Sequence, residues 1–331
     1  MEVVEGSVEG KYAAILSKPK AVQQKKDAVG GSVSATEEGV LPNPTSVEQR
    51  KSGHHVKPTT VNQPDGFLRY RKRERHSPDR RDAFLEAMEH AKNQQPCDDD
   101  TFQIDTLMSF FDCTKVASEK AVDHVLAYIR KRRDGLPQCR FDFLDASFVA
   151  ELIRNYREFN ACPSKDAYSF SPCLKQPFIS RPQWFTKVDV LYVPVMVKKS
   201  YWVGVIVDLN VWAMYVVASN TACPSEVDLT SVITPFSILL PHLIGRYSVG
   251  NKAQELHFAP MTISRLELSA LVEHPCKRCS AVVTLMLLEL HAVGKPLNSV
   301  HFSDEQAKTA AENYTFETLQ MCQPGKLPPP E

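Results

Sequence analysis

Apolar residues recur at helical spacing from Thr114 to Arg133, where Val116, Ala121, Val122, Val125, Leu126 and Ile129 fall on one face. The basic end, Arg130-Lys131-Arg132-Arg133, complements the negative pole of a helix dipole. A second helix is predicted from an N-cap at Asp145 to about Phe159, with Phe148, Val149, Leu152 and Ile153 inward. The pattern then changes to β-branched and aromatic runs broken by polar turns. Val188-Asp-Val-Leu-Tyr-Val-Pro-Val195, the turn Lys198-Lys199-Ser200, and Tyr201 to Leu209 predict strand, hairpin and strand. Trp212 to Ala218 predicts a third strand. Glu226 to Tyr247 is apolar and predicted helical, with Pro235 and Pro241 kinking or splitting it. Glu255 to Phe258 reads as a further short strand. A long apolar helix over Ala281 to Val293 is closed by Gly294 and Pro296, and Ser303 opens a last helix with Glu305 and Gln306 in its first turn. No internal repeat is visible. Helices and adjacent strands in this order specify an α+β domain, a central mixed or antiparallel sheet flanked by helices.

The first hundred residues read differently. They are poor in aromatics and broken by Gly, Pro, Ser and Lys, as in Gly30-Gly31-Ser32 and Leu41-Pro42-Asn43-Pro44. Too little apolar surface is available there to offset ordering entropy, so residues 1–100 are expected to be largely disordered. The folded domain is expected over 101–322, with a Pro-rich tail over 323–331. Within the first segment, Arg69, Arg71, Lys72, Arg73, Arg75, Arg80 and Arg81 face only Glu74 and Asp79. That run fits a nuclear-localisation or nucleic-acid-binding stretch, or simply a solvated basic tail. Bulk charge adds no such partner, because Lys+Arg and Asp+Glu balance at 39 each in 331 residues. No run approaches the roughly 18 consecutive apolar residues that span a bilayer, and no secretory apolar region is seen. Nine scattered Cys suit a reducing compartment. An intracellular protein is expected, in the nucleus ahead of the cytoplasm.

Several ordered landmarks point to one family. They are Ala127-Tyr-Ile-Arg-Lys-Arg-Arg133, Phe143-Leu-Asp145, Tyr156-Arg-Glu-Phe159, the Asp189-Val-Leu-Tyr-Val-Pro194 strand, Tyr201-Trp202 with its Val-Asp-Leu209 ending, and Glu289-Leu-His-Ala-Val-Gly294. Together, over roughly residues 105 to 320, they resemble the ubiquitin-like-modifier (SUMO) protease family of cysteine peptidases, in particular its plant, transposon-associated branch. The resemblance implies a papain-like cysteine peptidase fold of the SUMO-protease type. It implies hydrolysis at the Gly-Gly carboxyl terminus of a ubiquitin-like modifier, with SUMO or a similar protein as partner and no cofactor.

The residues at that family's catalytic positions depart from the chemistry. Such an enzyme needs a thiolate, an imidazole, a carboxylate to orient it, and oxyanion donors. Tyr201 stands at the His position, and a phenol with a pKa near 10 is no general base at neutral pH. Ala218, followed by Ser219-Asn220, stands at the Asp position and orients nothing. The window of the oxyanion Gln reads Glu273-His274-Pro275. Aligning on the family's Cys-Gly pair selects Cys279 as nucleophile, whereas counting back without a gap from Glu289 selects Ser280. His274 is a candidate surrogate imidazole, with Glu273 or Asp208 as its partner. Trp202 is either a wall of the modifier-tail channel or core. Cys276-Lys-Arg-Cys279 lacks the further ligands of a zinc site, so no metal is expected. His291 reads as a packed or capping histidine, and His54-His55 falls in the polar tail. The expectation is a protease-family domain with an impaired active site. The alternatives are a non-catalytic modifier-binding module and a transposon-derived, chromatin-associated chain acting through Arg69–Arg81.

Overall fold

A computed structural model describes residues 78–94, 104–113, 115–135, 139–181, 184, 186–218, 224–248, 258–266, 277–297 and 302–322. In chain order the elements are α1 (Pro78–Gln94), α2 (Ile104–Asp112), α3 (Glu119–Asp134), β1 (Phe141–Phe143), α4 (Ala146–Ala161), α5 (Gln176–Ser180), β2 (Val190–Val197), β3 (Tyr201–Asp208) and β4 (Ala213–Val217). They continue with α6 (Glu226–Tyr247), β5 (Thr262–Arg265), α7 (Ser280–Ala292) and α8 (Asp304–Cys322). The five strands lie side by side in sequence order. β2, β3 and β4 form an antiparallel meander, with β1 and β5 added in parallel at its two sides. The class is α+β, as the mixture of 3.6- and 2-residue periods requires.

Strand alternation divides the core into two layers. Tyr201, Val203, Val205 and Val207 of β3 join Leu191, Val193 and Val195 of β2, and Met214 and Val216 of β4, in one buried apolar cluster. Phe148, Val149 and Leu152 of α4, and Leu229, Ile233, Phe236 and Leu240 of α6, close that layer. The opposite face, through Trp202 and Gly204, meets α7. Every residue of α7 is buried, which is why its sequence is apolar almost all round and shows no polar stripe.

Four details differ from the sequence expectations. Ordered structure begins before Thr101: in α1, Phe84 is buried and stacks on Phe316 of α8 with ring centroids 3.9 Å apart. The part of the expected disorder that falls on residues 1–77 lies outside the described residues, as does the tail over 323–331. Asp145 occupies the N-cap position of α4 but makes no cap hydrogen bond; Asp123 of α3 takes that role. Pro235 and Pro241 do not split α6. Pro241 has no N–H to give to the Ser237 carbonyl one turn earlier, and the Met261 N–H bonds it instead at 3.1 Å. Finally, the strand expected at Glu255–Phe258 is displaced: Phe258 is exposed and irregular, residues 255–257 are outside the described set, and β5 begins at Thr262. α6 is long and apolar enough to cross a membrane by length and composition. Here that apolar surface is buried against α4 and β2.

The last helix follows its sequence signal. The Ser303 hydroxyl accepts the Gln306 N–H at 3.1 Å, and the Gln306 side chain accepts the Ser303 N–H at 2.9 Å. This is a reciprocal capping box.

Candidate active site

Tyr201 opens β3, opposite Val197 across the β2–β3 ladder. The last β3–β4 pair is Gly204↔Val217, so Ala218 lies beside Val203, one step further on, and diagonal to Tyr201 on the same face. Both residues belong to the apolar cluster beneath α6, Tyr201 3% and Ala218 9% exposed. The positions that the resemblance assigns to the imidazole and the carboxylate therefore hold a packed phenol and a methyl group. Neither can accept a proton from a thiol at neutral pH.

The nucleophile candidates arrive from the other side of the strand. A turn of 3₁₀ helix over Lys277–Cys279 leads into α7. Cys279 sits at the N-cap and Ser280 is the first helical residue; both are buried. The Ser280 Oγ accepts the Trp202 N–H at 3.2 Å, and the Thr284 Oγ1 donates to the Trp202 carbonyl at 3.2 Å. Two hydroxyls four residues apart, hence one turn apart on the helix, thus grip both polar groups of one strand residue. They do so just beyond the end of β4, where the β3 backbone has outrun its ladder partner. Ser280 thereby touches the residue that follows Tyr201.

Trp202 is buried in the core. Its side chain is 0% exposed, and its indole N–H donates to the Ala117 carbonyl at 3.0 Å. On the same face, a Cβ at Gly204 would meet the Leu288 side chain of α7 at 2.8 Å. Ser280, Thr284 and Leu288 form an i, i+4, i+8 stripe laid along β3 from Trp202 to Gly204.

Other candidates separate from this place. His274, Glu273 and Cys276 fall outside the described residues. Asp208 is at the opposite end of β3 from Tyr201, about 23 Å away at the usual strand rise. Its carboxylate accepts the Asn210 and Val211 N–H groups at 2.9 and 3.0 Å, so it shapes the β3–β4 turn. His291 is buried, with Nδ1 2.8 Å from the Tyr192 hydroxyl, and burial lowers its pKa to about 4. That makes it a neutral packed histidine. Among the described residues no group of three His, Cys, Asp or Glu is placed to hold a metal ion. Of the basic run, residues 69–77 lie outside the described set, Arg80 and Arg81 belong to α1, and Arg81 stands over the Phe111 ring at 5.9 Å.

Sequence reasoning missed two further fixtures of α7. One is Thr284, whose spacing from Ser280 was the available signal. The other is Glu289, fully buried, which pairs with Arg132 of α3 and accepts from the Tyr314 hydroxyl of α8. Burial holds its carboxyl above the usual range against the pull of Arg132 and Tyr314. Arg132 lies in the basic helix end read above only as a dipole partner.

Comparison with known proteins fits this architecture. Residues 118–322 match the Ulp1 protease family, C-terminal catalytic domain. No curated protein matches the chain. Among solved structures, the SUMO protease Ulp1 with its catalytic cysteine oxidised to a sulfinic acid aligns with a TM-score of 0.52 and 13% identity, over 75% of this chain and 97% of that one. The C-terminal Ulp1 protease domain in complex with SMT3, the yeast ortholog of SUMO, gives 0.51 and 12%, over 76% and 98%. At these identities the likeness is one of fold.

Proposed function

The chain belongs to the Ulp1 protease family of cysteine peptidases, and we propose that it is a member whose peptidase chemistry is impaired. One observation carries this reading: Tyr201 and Ala218, at the His and Asp positions of the resemblance, are both packed into the apolar layer under α6. A phenol and a methyl group at these two positions supply neither the proton acceptor nor the imidazolium cation that the family's thiolate needs. Triad losses are each worth several orders of magnitude in rate, although they do not add. The Ser280 hydroxyl accepting the Trp202 N–H suits a structural role for the residue chosen by the ungapped count.

The partner proposed for the domain is a ubiquitin-like modifier, bound without cleavage. The support is the shared fold with a relative solved in complex with SMT3. No observation on the described residues favours the chromatin-associated alternative.

The test uses the full chain with a SUMO or ubiquitin probe carrying a thiol-reactive group at its C-terminus, beside Cys279→Ala and Ser280→Ala. The expected result is no labelling in any of the three, with the fold intact by circular dichroism. Labelling of the wild type that disappears only in Cys279→Ala would overturn the proposal and select the Cys-Gly alignment. Titration of the unmodified modifiers tests the second half: the absence of binding at millimolar concentration rejects the partner.

A further inference from the structure

We propose that α1 is a detachable strap, a helix that lifts from α8 as a unit while the sheet and α7 stay folded. All of it precedes residue 118, where the family match begins. Among its described side chains only Phe84 and Met88 are buried, whereas Arg81, Asp82, Glu86, Glu89 and His90 are exposed. The hold is aromatic. Phe84 stacks on Phe316 of α8 and leans on Phe111 of α2 with ring centroids 5.2 Å apart, and the Arg81 guanidinium stands over the Phe111 ring.

α8 is anchored without α1. Tyr314 donates to Glu289 of α7, which pairs with Arg132 of α3, and its ring meets Phe110 of α2 edge-on at 6.1 Å. Phe316 lies two residues further on, hence about 200° round the helix, and faces away from that anchor. The side of α8 toward α1 is built differently. Asn313 precedes Phe316 by three residues and shares its side of the helix. It is 5% exposed, and neither its Oδ1 nor its Nδ2 meets a hydrogen-bond partner among the described residues. An amide carries two donors and an acceptor oxygen, and keeping them dry and unmatched opposes closure. Lifting α1 returns Asn313 to water.

Two effects therefore meet at one seat: the packing of Phe84 and Met88 favours the closed strap, and a stranded amide favours the open one. Off its seat a 17-residue helix is marginal in water, so its backbone amides open to solvent with the move. The lifted state also bares the Phe111 and Phe316 rings, an aromatic face that the closed strap covers.

The test is native-state hydrogen exchange on the full chain, read residue by residue. In the wild type the α1 amides from Leu85 to His90 should share one level of protection, at least about 100-fold below that of the α7 amides. Asn313→Leu keeps the branched shape without the polar atoms and should raise α1 protection about tenfold. In Phe84→Ala the α1 amides should lose protection while α7 amides in the same sample remain protected. Equal protection of α1 and α7 in the wild type makes them one cooperative unit and overturns the proposal. So does protection that falls steadily toward Pro78, which is fraying rather than lifting, or faster α1 exchange in Asn313→Leu, which means that the amide is partnered. The wild-type profile decides the matter even if a variant fails to fold.

Discussion

Gly204→Ala is the sharpest probe of how α7 is seated on the sheet. Two effects compete. In a strand, replacing Gly by Ala restricts the unfolded chain and stabilises by about 0.4–1 kcal/mol when the site tolerates a Cβ. This site does not, because the new atom would lie 2.8 Å from Leu288 Cδ2 and 3.1 Å from its Cγ. Leu288 is fully buried in the middle of α7, so its side chain has no open direction in which to retreat. Overpacking of a dense core typically costs about 1–3 kcal/mol. Subtracting the entropic gain leaves a net destabilisation between about 0 and 2.6 kcal/mol. Leu288→Ala alone opens a cavity and is expected to cost about 2–5 kcal/mol. In the double variant the methyl group added at residue 204 enters part of that cavity, so the two costs should fall short of their sum by about 1 kcal/mol or more. Urea unfolding of the four proteins of the cycle, followed by far-UV circular dichroism, reads these terms directly. A stabilising Gly204→Ala, or additivity within about 0.5 kcal/mol, would refute the close approach of β3 and α7.

Two further outcomes are expected from the same region. Ser280→Ala strips the Trp202 N–H of its acceptor in a buried place and should cost about 1–3 kcal/mol in chemical unfolding, whereas a surface-like effect below about 0.5 kcal/mol would deny the contact. His291, with its pKa lowered to about 4 by burial, must charge as the chain unfolds in acid. Its contribution is intact above about pH 6.5 and is lost as pH falls toward 4, to an extent of about 3 kcal/mol at most. The difference in unfolding free energy between wild type and His291→Gln, measured from pH 7 down to 4, should shrink accordingly. A constant difference would contradict a neutral buried imidazole.

What the chain announces and what it hides follow from the range of the interactions involved. The β2–β3 hairpin, the β4 strand, α7 and the Ser303 capping box are local patterns, and each lies within a residue or two of where periodicity and turn chemistry put it. α1 was missed because a helix with only Phe84 and Met88 buried among its described side chains is held by packing on Phe111 and Phe316, more than twenty and two hundred residues away. The α4 cap was misassigned because the acceptor comes from another helix, while the local Asp145 answers to Arg130 and Arg181. Pro241 reads as a breaker only until Met261 supplies the missing donor. Trp202 posed the same problem: strand alternation gives its face but not the depth to which α7 and Ala117 bury it.

If the proposed impairment holds, the site illustrates how a fold can outlast its reaction. A catalytic dyad is held in register by the same backbone that packs the core, so replacing its polar members need not disturb the scaffold. A carboxylate at residue 218 without an imidazole partner would be a charge in an apolar layer, costing several kcal/mol or existing only as the neutral acid. An alanine there removes that burden, and a tyrosine at 201 adds buried apolar area to the same layer. On the opposite face, Ser280 and Thr284 saturate the Trp202 backbone, and Glu289 ties α7 to α3 and α8 through Arg132 and Tyr314. Among the described residues, Tyr201, Ala218, Cys279 and Ser280 are all buried in the packing. Under the reading proposed above, stability and loss of chemistry therefore point the same way, and single back-substitutions toward His or Asp work against the core they enter.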